Sequence, residues 1–200
     1  MAYTEFKARD LEKKFDIKYQ ATNLFIDCKE ISPSDWLKES IHRARILGLG
    51  SEKSRSERLV SPILSELSVL NENSFTIYSG LSLDIDEKKG LKGECDFILS
   101  FSKIQDFIKA PIFNIVEAKK HDIEGGTTQC AAQLIAAQIL NKEDNPTFDK
   151  EIYGCSTTGV EWRFLKLKDN IVTVDLDRYY LHEINKLLGV LQCVLDRSKN

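Results

Sequence analysis

Apolar positions along this chain change period, and each change marks a new kind of element. Leu59, Val60, Ile63, Leu64 and Leu67 recur at spacings of three and four, which builds one helical face. The spacing predicts a helical stretch over residues 51–70. Pro62 lies inside it, so the helix either kinks there or restarts with Ser61 as its cap. Upstream, Ser32-Pro33-Ser34-Asp35 reads as a helix start with Ser32 as N-cap. The helix it opens carries Trp36, Leu37, Ile41 and Ile46 and stops at Gly48 or Gly50. Residues 5–15 read as a short polar helix. From Ser74 the period falls to two. Residues 75–78, 81–85 and 95–99 are strand-like, with glycine-bearing turns between them. Residues 112–116 are almost continuously apolar, as expected of a central strand. Gly125-Gly126 precede a helix over about 127–140. Residues 152–155 resume a strand, 162–167 and 171–174 form a hairpin across Lys168-Asp169-Asn170, and Asp177 caps a last helix to about residue 195. This order predicts an α/β (α+β) domain with a mixed sheet.

Length and charge narrow the picture. Two hundred residues suit one domain with a sizeable core. We expect residues 1–200 to be a single unit, with a helical extension over 1–50, a core over 51–168 and a C-terminal helix over 177–197. No apolar run approaches the ~20 residues of a membrane span. The first residues are charged from Glu5 onward and lack the apolar centre of a secretory signal. The five cysteines, Cys28, Cys95, Cys130, Cys155 and Cys193, are scattered and never form a C-x-x-C pair. They read as reduced thiols in a cytoplasmic protein. A net charge of −3 argues against a strongly basic nucleic-acid coat protein, though not against an enzyme that meets DNA along a local basic strip.

The chemistry concentrates between Glu94 and Lys119. Residues i and i+2 of a strand share a face, so Glu117 and Lys119 should project together from an otherwise apolar strand. Buried charges are costly unless they pair or bind something. If Asp96 lies on the neighbouring strand, three charged groups converge. Two carboxylates suit Mg²⁺, a hard cation that prefers oxygen ligands and keeps several waters. Such a site activates water and neutralises charge developing on a phosphate, and Lys119 suits the water or the transition state. The same E-x-K pair also fits a plain ion pair at a strand edge. Glu57 and Glu66 flank the helical apolar stripe, and Glu94 alternates onto the face of Asp96. Gln129 and Gln133 lie one turn apart on a helix. Thr157 and Thr158 suit a phosphate contact or an ordinary turn. Lys120, His121, Arg163, Lys166 and Lys168 are candidates for a phosphate-binding strip. His42, His121 and His182 have no metal-ligand spacing.

In this order the pieces resemble the PD-(D/E)XK nuclease superfamily. The resemblance spans about residues 51–167: the helix Ser56-Glu57-Arg58-Leu59-Val60, then Gly93-Glu94-Cys95-Asp96, then Val116-Glu117-Ala118-Lys119, then Gln129-Cys130-Ala131-Ala132-Gln133. Cys95 stands where the family name has its proline. The resemblance implies a restriction-endonuclease-like three-layer domain, a central mixed sheet flanked by helices. It implies a Mg²⁺-dependent nuclease (Mn²⁺ as substitute) that hydrolyses DNA, of restriction, defence or repair type. Asp96 and Glu117 would bind the metal with Glu57, Lys119 would act on the water or transition state, and Gln133, then Gln129, would support them. A homodimer or a larger restriction or repair complex would be the working form. Two other readings compete: a silent nuclease-like domain that binds nucleic acid or a protein partner, and a hydrolase of other phosphoesters.

Overall fold

The computed structural model describes residues 2–199. A 3₁₀ turn (Tyr3–Glu5) leads into α1 (Ala8–Phe15), and the chain enters β1 (Lys18–Thr22). After an irregular crossing it forms α2 (Asp35–Leu47), the short α3 (Glu52–Arg55), a π turn (Ser56–Val60) and α4 (Ser61–Leu70). Next come β2 (Thr76–Ser82), β3 (Glu94–Ser100), β4 (Ile112–Ala118) and the long α5 (Ile123–Asp144). The chain closes with β5 (Ile152–Thr157), β6 (Glu161–Lys168), β7 (Ile171–Asp175), the two-residue β8 (Tyr179–Tyr180) and α6 (Ile184–Lys199).

The strands make one open mixed sheet of eight, in the order β1-β7-β6-β5-β4-β3-β2, with β8 paired to β6. β2, β3 and β4 form an antiparallel meander. β4 and β5 are parallel; a parallel pair needs a crossover, and α5 supplies it. Every residue of β4 and β5 is buried, as the apolar run over 112–116 predicts for a central strand. Leu37 of α2, Leu64 of α4 and Leu191 of α6 share one core with Phe97, Val116 and Phe164. Leu11 of α1 and Ala131, Leu134 and Ala136 of α5 share the other with Ile98, Ile115 and Leu165. The result is a three-layer α/β domain.

The elements depart from the sequence reading in instructive ways. Ser34, not Ser32, caps α2: its Oγ accepts from Leu37 N (3.2 Å), and Glu66 holds it there by accepting from Ser34 N and Oγ at 2.6 and 2.8 Å. Around Pro62 the helix neither kinks off nor restarts. It widens, with Ser61 N–H bonding to Ser56 O, next to a residue that has no N–H of its own to give. β2 is one strand carrying Gly80 at φ +65°, and it takes in part of what reads as two. α5 begins at Ile123, capped by the Asp122 side chain on Gly125 N, so the glycines lie inside its first turn. Asp177 caps no helix; β8 and a 3₁₀ turn (Leu181–Glu183) intervene before α6.

Two of the five cysteines are not reduced. Cys28 and Cys193 form a disulfide across 165 positions, which spacing along the chain cannot reveal. Cys95, Cys130 and Cys155 are free and buried. Among the described residues, no helix is long and apolar enough to cross a membrane.

Candidate active site

The site forms where β3 and β4 end beside the start of α5. Phe97 pairs with Val116 in the antiparallel ladder, so Asp96 and Glu117 fall opposite each other on adjacent strands. Lys119 follows the last residue of β4, and its N–H donates to Thr157 O (2.7 Å), which continues the pairing with β5. The expected convergence of Asp96, Glu117 and Lys119 is present. Lys119 Nζ donates to Glu117 Oε1 (2.8 Å), and Asp96 Oδ2 accepts from Ala118 N (2.8 Å).

α5 clamps Glu117 from above. Gln129 Nε2 donates to Oε1 (2.6 Å) and Gln133 Nε2 to Oε2 (2.7 Å). One helical turn between the two amides lets each reach a different carboxylate oxygen. Both glutamines thus contact the same carboxylate. Gln133 Oε1 and Ser156 Oγ are buried there with no hydrogen-bond partner.

These contacts do not cancel the cost of burial. Burial first, then the Asp96 carboxylate, pushes Glu117 up to about 7, against the pull of Lys119 and Gln133. Burial also raises Asp96, opposed by the Ala118 N–H, Lys119 and Glu117. For Lys119, burial works against the ammonium, but Glu117, Glu52 and Asp96 outweigh it and raise its pKa. The cluster is therefore short of positive charge.

A cleft of about 460 Å³ opens beside the cluster, lined by Asp96 and Glu94 on one wall and by Glu52, Lys53, Ser56 and Glu57 on the other. The two helix acids now separate. Glu57 lines the cleft, is exposed, and sits 3.8 Å from Lys53. Glu66 is 3% exposed and holds the α2 cap. Glu52, which the sequence reading passed over, is closer to the chemistry. Its carboxylate accepts from Lys120 N (3.0 Å) and acts electrostatically on both Asp96 and Lys119. Its signal was its place directly after the helix-capping Ser51. Glu52 in α3 and Glu57 in the π turn that follows both line the cleft.

Other candidates have local duties. Thr157 Oγ1 donates to Glu161 O (2.8 Å) and Thr158 Oγ1 accepts from Glu161 N (3.1 Å), so both close the β5–β6 turn. Lys166 pairs with Glu151 and Lys168 with Asp149. Arg163 lies 3.8 Å from Glu124. Lys120 and His121 are exposed at the end of β4.

The donor set fits a hard divalent cation held in an open site. Two adjacent carboxylates with raised pKa values share one ammonium, Lys119, and all the acidic groups at the cleft offer oxygen. Mg²⁺ usually takes one or two carboxylates and completes its shell with water. No closed group of three or more His, Cys, Asp or Glu ligands exists among the described residues, so any such ion would rely on Asp96, Glu117 and water, with Glu52 and Glu57 near. Comparison with known proteins finds no matching family model, no similar curated protein and no similar solved structure.

Proposed function

We propose that this chain is a divalent-cation-dependent nuclease that hydrolyses DNA phosphodiester bonds. The observation that carries the reading is the meeting of Asp96 and Glu117 from adjacent strands with Lys119 at 2.8 Å from Glu117. The order of these residues along the chain, which resembles that of PD-(D/E)XK nucleases, supports the same reading, and the choice of DNA over RNA rests on that resemblance alone. A bound Mg²⁺ supplies charge neutralisation at the phosphate and acidifies a water. Asp96 and Glu117 would hold the ion. Gln129 and Gln133 fix the Glu117 carboxylate plane, so that one oxygen pair stays aimed at the cluster. Lys119, the cation nearest the carboxylates, donates to the attacking water or to a phosphate oxygen as negative charge builds there. Glu52 and Glu57 form the acidic wall, and Glu52 also anchors the backbone at Lys120.

The test is cleavage of supercoiled and linear DNA with Mg²⁺ or Mn²⁺ by wild type, Asp96→Asn and Lys119→Ala. Cleavage that needs the ion and falls about 10²-fold or more in each variant supports the reading. A folded wild type that cleaves neither DNA form under either ion overturns it.

A second reading draws on one specific observation. Three donors already occupy Glu117, as they would in a silent nuclease-like domain that binds nucleic acid or a protein partner. Calorimetric titration with Mn²⁺ separates the two: an ion that binds wild type but not Asp96→Asn favours the nuclease.

A further inference from the structure

The crossing between β1 and α2, residues 23–34, is a strap without regular structure lying over α6. Leu24 and Phe25 are buried, but Ile26, Asp27, Lys29 and Glu30 are exposed and Cys28 is half-buried. Three ties hold the strap to α6. Arg197 donates to Leu24 O (2.7 Å), Ile31 N–H donates to Asn185 O (3.0 Å), and the Cys28–Cys193 disulfide lies between them. The strap runs so close that a Cβ on Gly189 would fall 2.1 Å from Lys29 O.

The strap also reaches the cleft through contiguous contacts. It delivers Ser34, whose N–H and Oγ are gripped by the buried Glu66 of α4. At the far end of α2, Leu47 O and Gly48 O accept from the Arg58 guanidinium at 2.9 and 2.6 Å. Arg58 belongs to the π turn beside Glu57, and a few residues beyond Gly48 the chain places Glu52. So α2 is pinned at both ends to the helical segment that forms the acidic wall, and its N-terminal end hangs from the disulfide-tied strap.

We infer that Cys28–Cys193 is a redox-operated latch on this wall, which reduction by a dithiol releases without unfolding the sheet. In the step, a dithiol gives two electrons and two protons. The sulfur–sulfur bond breaks to leave two thiols, and the reductant closes to its own disulfide. Cys28 and Cys193 are both half-buried residues at the surface of the fold, within reach of such exchange, whereas Cys95, Cys130 and Cys155 are fully enclosed. The latch concerns the shape of the cleft and stands whether or not the cleft hydrolyses DNA.

Hydrogen exchange on the full chain tests it, before and after reduction with dithiothreitol, with thiols counted by mass after alkylation in denaturant. The expected count is three before reduction and five after. Exchange over 24–34, 35–47 and 51–60 should rise about tenfold or more, with β3 and β4 unchanged and with recovery on reoxidation. The double variant Cys28→Ser/Cys193→Ser should show the released pattern without reductant and ignore reductant when it is added. A rise confined to 24–34 overturns the latch. So does a rise that also sweeps β3 and β4, which would make the disulfide a staple for the whole fold. Five free thiols in the air-oxidised protein, or a response to reductant in the double variant, also overturn it.

Discussion

Glu117 takes hydrogen bonds from Lys119, Gln129 and Gln133 and is still pushed up to about 7 by burial and by Asp96. Its folded pKa lies above the free value of 4.5, so between those two values the folded chain binds more protons than the unfolded one. Stability then falls as pH rises through that window. In chelator, this one group should cost up to ~3 kcal/mol between pH 4.5 and 7.5. Glu117→Gln should flatten that slope in urea unfolding at stepped pH; an unchanged slope would sink the assignment. Asn114 poses a different problem. It is 1% exposed in the central strand, and neither of its amide atoms finds a partner. Unsatisfied buried groups cost about 1–3 kcal/mol each. The near-isosteric Asn114→Leu should therefore stabilise the protein by about that much, and a destabilised variant would mean that the amide has an unseen partner such as a buried water. At this scale the sequence revealed whatever depends on short spacing. Glu117 and Lys119 followed from i and i+2, and Gln129 and Gln133 from i and i+4. Glu52, the capping role of Glu66 and the Cys28–Cys193 bond depend on contacts distant in sequence, and no local pattern encodes them.

At the scale of elements, α5 matters most, because it must lie low enough for two amides to reach one carboxylate. Gly126 sets that depth. A Cβ there would meet Ser156 Oγ at 2.2 Å and Lys119 Cγ at 2.8 Å. Gly126→Ala should lift the first turns of α5, destabilise the fold by about 1–3 kcal/mol through overpacking and weaken Mn²⁺ binding through a looser Glu117. Thermal unfolding and calorimetric titration would read both effects. A variant with wild-type melting and wild-type affinity would show that the contact is slack. The fold was legible in proportion to burial. β4 is enclosed on both faces, and its apolar run announced it. β1 escaped notice because it is an edge strand, Lys-Tyr-Gln-Ala-Thr, exposed at four of its five positions, so no alternation records its pairing with β7. The start of α2 was misplaced by two residues because two serines compete for the cap, and Glu66, thirty-two positions away, selects Ser34.

For the molecule as a whole, the excess of acid is both a cost and a means of binding. The chain carries a net charge of −3, and four of its carboxylates line one cleft. A cation that binds the folded state and not the unfolded chain raises stability by mass action. Here it must also displace the proton that Glu117 retains up to about 7, so its apparent affinity should climb with pH, by up to about tenfold per unit below that value. Hence the rise in melting temperature caused by a fixed Mn²⁺ concentration should be larger at pH 8 than at pH 6. It should shrink sharply in Asp96→Asn and survive in Glu66→Gln, whose carboxylate serves the α2 cap instead. Scanning calorimetry on the three proteins at both pH values decides this. If the shift were the same at pH 6 and pH 8, or equal in Asp96→Asn and wild type, the ion would be binding elsewhere on the acidic surface. The Asp96–Glu117 pair would then be no cation site.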